Sequence, residues 1–170
     1  LIRRTIERAK EHGAKVALDL ASFNVVEENR EFLRDIVAKH VDILFANEDE
    51  AHAFSGEEDP AKALEHIAKM CELVVVKIGT RGALIKRGEE QVHVGIMAAA
   101  KRVDTTGAGD FYAAGFMAGL CEGLTLRQCG TMGAIAAGKV IEVVGTTLSD
   151  EAWHHIDALC NKVRTEQYLF

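Results

Sequence analysis

Seven consecutive residues, Asp104-Thr105-Thr106-Gly107-Ala108-Gly109-Asp110, carry the clearest chemistry in the chain. The stretch that follows them to Leu120 is small and apolar, as in a buried helix, which puts the backbone N–H groups of Gly107, Ala108 and Gly109 at a helix N-terminus. Amides there lack an intrahelical partner and the helix dipole favours negative charge, so a phosphate can be held without any basic side chain. Glycine suits positions where a side chain would block close approach or where φ is positive. An aspartate directly after these amides lies beside the anion they hold. It can accept a proton from an attacking hydroxyl while the amides compensate charge on the oxygens being transferred. A structural alternative exists for the same residues: Asp110 as a first-turn acidic residue, and Gly107 and Gly109 as turn residues.

Two familiar glycine motifs do not fit. A dinucleotide fingerprint needs a third glycine where this chain has Tyr112, and no G-x-x-x-x-G-K-[ST] loop occurs. Two more stretches invite attention, Asn47-Glu48-Asp49-Glu50 and Lys77-Ile78-Gly79-Thr80-Arg81-Gly82. Taken alone, the first reads more often as a solvated face or a helix start and the second more often as a hairpin entry. Further on, Gly130, Gly133, Ala134, Ala137, Gly138 and Ile141 recur at helical spacing and leave one helix face nearly bare. That face suits close helix packing, or a flat wall in which Ala134, Ala137 and Gly138 meet an adenine ring. The seven histidines form no metal-ligand pattern; His154 and His155 are adjacent and diverge on a helix. Trp153 beside them reads as an anchor for the last helix.

The elements that must position these residues follow from hydrophobic period and caps. A helix over 1–13 ends at Gly13, and a strand over 15–20 places Asp19 at its carboxyl end. A helix over 27–40 leads to a strand over 41–47. Asp59 and Pro60 start a helix over 60–70, and Leu73 to Gly79 is the strongest strand. This alternation argues for an α/β fold with a parallel sheet and helices on both faces. Residues 82–86 and 91–94 form a hairpin across Arg87-Gly88-Glu89-Glu90. Helices follow over 108–121, 125–143 and 150–160, with Thr125 and Ser149 as N-caps of the last two.

With 170 residues, 48% hydrophobic and 27% charged, the chain reads as one globular domain over 1–170. A net charge of -6 with scattered basic residues argues against a nucleic-acid or anionic-membrane surface. The segment from Cys129 to Leu148 is the most apolar, yet it holds Lys139, Glu142 and several glycines, which argues against a membrane span. Four cysteines without regular spacing suit a reducing, cytoplasmic compartment. The opening Leu1-Ile2-Arg3-Arg4 falls in a running helical pattern with neither an initiator Met nor a signal peptide, and reads as a segment of something longer.

The run from Asp104 to Asp110 resembles the D-T-x-G-A-G-D signature of the PfkB, or ribokinase-like, carbohydrate and nucleoside kinases, and Phe111, Ala113, Ala114 and Gly115 continue the similarity. Asn47 to Glu50 resembles that family's N-x-x-E element, and Lys77 to Gly82 its K-x-G-x-x-G element, in the family's order. The stretch from Cys129 to Gly145 looks most like the bacterial adenosine-kinase-like branch.

The resemblance implies a three-layer α-β-α fold, of which this chain is the C-terminal, nucleotide-binding part of a mostly parallel sheet, without the N-terminal substrate and lid region. It implies transfer of the γ-phosphate of ATP to a hydroxyl of a sugar or nucleoside, adenosine favoured, with Asp110 as base and the Gly107 to Gly109 amides as anion hole. Lys77, Gly79, Thr80, Gly82 and Thr105 would lie with the nucleotide. Asn47 and Glu50 would place magnesium through water, and Asp104, Thr106 and Gly145 would hold a monovalent cation such as potassium. A homodimer is compatible with it. Two other readings stand beside this one: a non-catalytic nucleotide-binding or assembly module, and a nucleotide-dependent oxidoreductase, against which Tyr112 counts.

Overall fold

A computed structural model of the chain describes residues 1–98 and 101–166. The chain divides into two compact units, Leu1–Gly79 with Leu84–Gln91, and Thr80–Ala83 with Val92 onward.

The first unit alternates helix and strand: α1 Ile2–Glu11, β1 Ala17–Asp19, α2 Phe23–Glu28, α3 Arg30–His40, β2 Ile43–Asn47, α4 Glu48–Ser55, α5 Pro60–Ile67 and β3 Leu73–Lys77. β4 (Ala83–Arg87) and β5 (Glu90–Val94) complete one sheet in the order β1-β2-β3-β4-β5. β1, β2 and β3 are parallel, with Asp19 opposite Phe45 and Asn47 opposite Lys77. Four successive residues are buried at the start of β2 and again of β3, the pattern of parallel strands covered on both faces. β4 and β5 are joined only by Gly88 and Glu89, a connection short enough to allow antiparallel pairing alone. Buried Asp42 ties the entry of the sheet together: its carboxylate takes the Val16 N–H at 2.7 Å and the Lys10 ammonium at 2.8 Å.

Two helices depart from the reading by periodicity. The helix expected over 27–40 is two: the chain breaks at Asn29, whose backbone leaves the helical region at φ -124° and whose side chain, like its N–H, donates to the Val25 carbonyl, at 2.9 Å. Such a side-chain bond back to the carbonyl four residues earlier bends a helix. α4 begins where Asn47 to Glu50 could be read as a helix start. It forms because Asn47 and Glu50 make a capping box, and because Glu48, Asp49 and Glu50 in its first turn suit the helix dipole. Elsewhere local signals held: Asp59 caps α5 by accepting from Ala61 N at 2.7 Å, with Pro60 in the first turn.

The second unit is built on α6 Ala108–Cys121, α7 Leu126–Val140 and α8 Asp150–Arg164. Thr125 and Ser149 cap α7 and α8. Glycines set the spacing of α6 and α7: a Cβ on Gly115 would lie 2.5 Å from the Met132 carbonyl oxygen, and one on Gly133 would lie 2.8 Å from that of Tyr112. Tyr112 is buried in this seam, and its hydroxyl has no hydrogen-bond partner among the described residues. α8 lies over a core that includes Met132, Ile135, Ile156 and Val163. Buried Gln128 joins the start of α7 to the end of α8 by donating to the Val163 carbonyl at 3.0 Å. At the same end, Arg164 grips the Glu122 carboxylate with two bonds of 2.6 Å. Among the described residues no helix is long and apolar enough to cross a membrane.

Because the obstacle at Gly115 is backbone, Gly115→Ala must push α6 and α7 apart. We expect a loss of about 1–3 kcal/mol in urea unfolding, the range typical of overpacking; an unchanged midpoint would mean the seam has slack.

Candidate phosphate and nucleotide site

In the first unit, Asp19, Asn47 and Lys77 stand at the carboxyl ends of three neighbouring parallel strands, where α/β sheets present ligand-binding groups. Asn47 and Glu50 are in direct contact. The Asn47 side-chain oxygen accepts from Glu50 N at 2.9 Å, and the Glu50 carboxylate accepts from Asn47 N at 2.8 Å and from Asn47 Nδ2 at 2.7 Å. Glu50 is 3% exposed. Burial pushes its carboxyl up, an effect that the Asn47 N–H and the charge of Lys77 oppose. The pair is thus a helix cap first, and each carboxylate oxygen retains a second lone pair.

Lys77 binds Asp19 at 2.8 Å, and the other oxygen of that carboxylate accepts from Ala21 N at 2.9 Å. Ala21 has φ 63°, a strained value for a residue with a side chain. Asp19 was read only as the end of a strand; its partnership with Lys77 spans 58 positions, and no local signal announces it. Gly79, two residues past Lys77, begins a single 3-10 turn with φ 59°.

In the second unit the loop before α6 is organised by one side chain. Asp104 Oδ1 accepts from Thr106 N at 2.9 Å and from the Thr106 hydroxyl at 2.8 Å, while Oδ2 accepts from Gly145 N at 2.9 Å. Asp104, Thr106 and Gly145, expected together, are therefore in mutual contact. The Gly145 N–H, followed by the Thr106 donors, holds the Asp104 carboxyl down to about 2.

Gly107 is the N-cap of α6, at φ 76° and without a side-chain cap; a Cβ there would lie 2.5 Å from the Thr146 methyl. The N–H of Ala108 donates to the Thr105 carbonyl at 3.2 Å. Of the expected trio Gly107, Ala108 and Gly109, the middle amide is therefore bonded within the loop. In this turn the amides of Gly107, Gly109 and Asp110 have no acceptor among the described residues. The Asp110 carboxylate is exposed on the same turn and likewise has no partner among them.

The remaining expected residues divide. Thr80 and Thr105 are exposed. Gly82 is buried at φ 95°, with Val94 O where its Cβ would be, so packing requires a glycine there. The flat wall expected on α7 is filled in two places. Gly133 faces Tyr112, and Gly138 lies under Met97, whose side chain stands 3.0 Å from where a Cβ would be. Ala134 is buried and Ala137 is partly exposed. Trp153 stacks on Phe111, the residue after Asp110, with centroids 5.9 Å apart.

The Asp104 arrangement has a pH signature. A carboxyl lowered by folding contributes stability that is present above its unfolded value of about 3.9 and lost as pH falls through the folded value. Since that folded value is about 2, a carbon-13 titration should find Asp104 still ionised at pH about 3, where an ordinary aspartate is mostly protonated. A midpoint in the ordinary range would mean that the Gly145 and Thr106 bonds do not form in solution.

The sequence profile described as pfkB family carbohydrate kinase matches residues 2–153. The chain is 31% identical over 145 residues to an ATP-dependent 6-phosphofructokinase of Thermoanaerobacterium thermosaccharolyticum, covering 82% of this chain and 44% of that protein. It is 30% identical over 132 residues to a nucleoside kinase of Methanocaldococcus jannaschii, covering 75% and 41%. Among solved structures, adenosine kinase from Sinorhizobium meliloti superposes with a TM-score of 0.85 at 38% identity, covering 92% of this chain and 49% of that one. Arabidopsis thaliana ribokinase complexed with ribose and ATP does so with a TM-score of 0.70 at 26% identity, covering 89% and 50%. The chain thus spans half or slightly less of the length of these relatives. Signature, fold and relatives agree, and the chain belongs to the pfkB family of carbohydrate kinases.

Proposed function

We propose that this chain is the nucleotide-binding and phosphoryl-handling part of an ATP-dependent kinase whose acceptor is a hydroxyl of a sugar or nucleoside, with adenosine favoured. One observation carries the reading: the amides of Gly107, Gly109 and Asp110 share a helix turn with the Asp110 carboxylate, and none of the four has a partner among the described residues. The name of the Sinorhizobium meliloti relative supports adenosine, and those of the phosphofructokinase and ribokinase keep sugars in view.

Asp110 takes the proton of the acceptor hydroxyl. The hydroxyl oxygen then attacks the γ-phosphorus, the bond from that phosphorus to the β-γ bridging oxygen breaks, and ADP leaves with the electron pair. Backbone N–H groups at the start of α6 compensate the charge on the transferring oxygens with no reorganisation. In the first unit Lys77 offers positive charge suited to phosphates, and in the second Thr80, Thr105 and Ala137 are the residues read as lying along a nucleotide.

Asn47 and Glu50 offer hard oxygen donors of the kind magnesium prefers. Since both are committed to the α4 cap, they would hold the ion through its water, and the ion would neutralise phosphate charge. Ionised Asp104, with Thr106 and Gly145 around it, suits a monovalent cation such as potassium. The four cysteines are free, which suits a cytoplasmic location.

A binding or assembly module without turnover is the second reading, favoured by the span of half the relatives' length. Calorimetry with Mg·ATP, followed by ADP formation against a panel of nucleosides and sugars, separates the two. Binding with ADP release supports the kinase, binding alone supports the module, and no binding of ATP removes both. In an active preparation, Asp110→Asn should lower turnover about a hundred- to ten-thousand-fold while ATP affinity stays within about threefold. Wild-type turnover in that variant would remove Asp110 as the base.

A further inference from the structure

We infer that Trp153 is a positioning residue for the Gly107–Asp110 turn, acting through Phe111; this rests on the reading of that turn as the phosphoryl site. α6 starts without a side-chain cap, and its first amides are left open, so its own hydrogen bonding holds that turn weakly. Restraint has to come from outside. One source is Asp104, whose carboxylate takes the Thr106 and Gly145 donors ahead of the turn, and a second is the Thr146 methyl against Gly107. The third is the Phe111 ring, which stacks on Trp153 with an interplanar angle of 23°.

Trp153 can serve as a fixed post because α8 is anchored independently of it. Ser149 caps the helix, Ile156 and Val163 are buried, and Arg164 grips Glu122, the C-cap residue of α6. Arg164 lies as far along the chain from Trp153 as Glu122 does from Phe111, so α8 braces α6 at both ends in matched register. Trp153 itself is 45% exposed. An indole kept only for core burial would be enclosed; here one face is spent on a single aromatic partner beside Asp110.

The test compares the 170-residue chain with Trp153→Ala, Trp153→Phe and Arg164→Met, using nitrogen-15 shifts and fast backbone relaxation of Gly107, Gly109 and Asp110, melting temperature, and Mg·ATP affinity by calorimetry. Trp153→Ala should mobilise those three amides and weaken ATP binding about three- to tenfold, the scale of one aromatic pair, and Trp153→Phe should restore both. Arg164→Met should lower the melting temperature and leave the three amides as in the wild type. The inference is overturned if Trp153→Ala leaves the amides unchanged, or if Arg164→Met disturbs them equally, since α8 would then act only as general support. Should the wild-type chain fail to bind ATP, the functional reading falls, and the relaxation comparison still decides whether Trp153 positions the turn.

Discussion

A helix whose first N–H groups find no acceptor among the described residues is not held by them, and the second unit is arranged around that deficit. α6 has a glycine where most helices carry a capping side chain, so the approach to its N-terminus stays clear. What fixes the turn in place of a cap is the Asp104 carboxylate, which takes the Thr106 and Gly145 donors and so joins the loop before α6 to the loop after α7, 41 positions away. The glycine at 107 and the aspartate at 104 are one solution: the first removes the obstruction, and the second replaces the restraint.

The first unit places different chemistry at the ends of β1, β2 and β3. Its groups are already paired, Lys77 with Asp19 and Glu50 with Asn47, as burial requires, because a charge taken out of water must be matched or hydrogen-bonded. Glu50 shows the balance: burial raises its carboxyl, and the Asn47 amide together with Lys77 draws it back. The strained Ala21, tied to Asp19, marks the same edge as a place where local geometry has been subordinated to the position of a side chain.

What could be read from the sequence was what is encoded within a few residues. The caps at Asp59, Thr125 and Ser149, the buried runs of β2 and β3, and the glycine-rich entry to α6 are signals of that range, and each element stands where they place it. For Asn47 with Glu50 both a helix start and a ligand role are open in the sequence, and the capping box shows that the same atoms build the helix α4. The break at Asn29 comes with one side chain choosing a carbonyl, and the loss of the Ala108 amide with a loop carbonyl coming within reach. Asp19 with Lys77 and Phe111 with Trp153 are contacts between distant positions, and hydrophobic period carries no information about them.

The glycine seam between α6 and α7 has a kinematic meaning. Where side chains interdigitate, two helices can slide by exchanging rotamers; where backbone rests on backbone, as Gly115 does on Met132 and Gly133 on Tyr112, no intermediate packing is available. The pair behaves as a keyed joint, and relative movement falls to the loops at its ends. The open amides of α6 are thereby mounted on the stiffest part of the second unit.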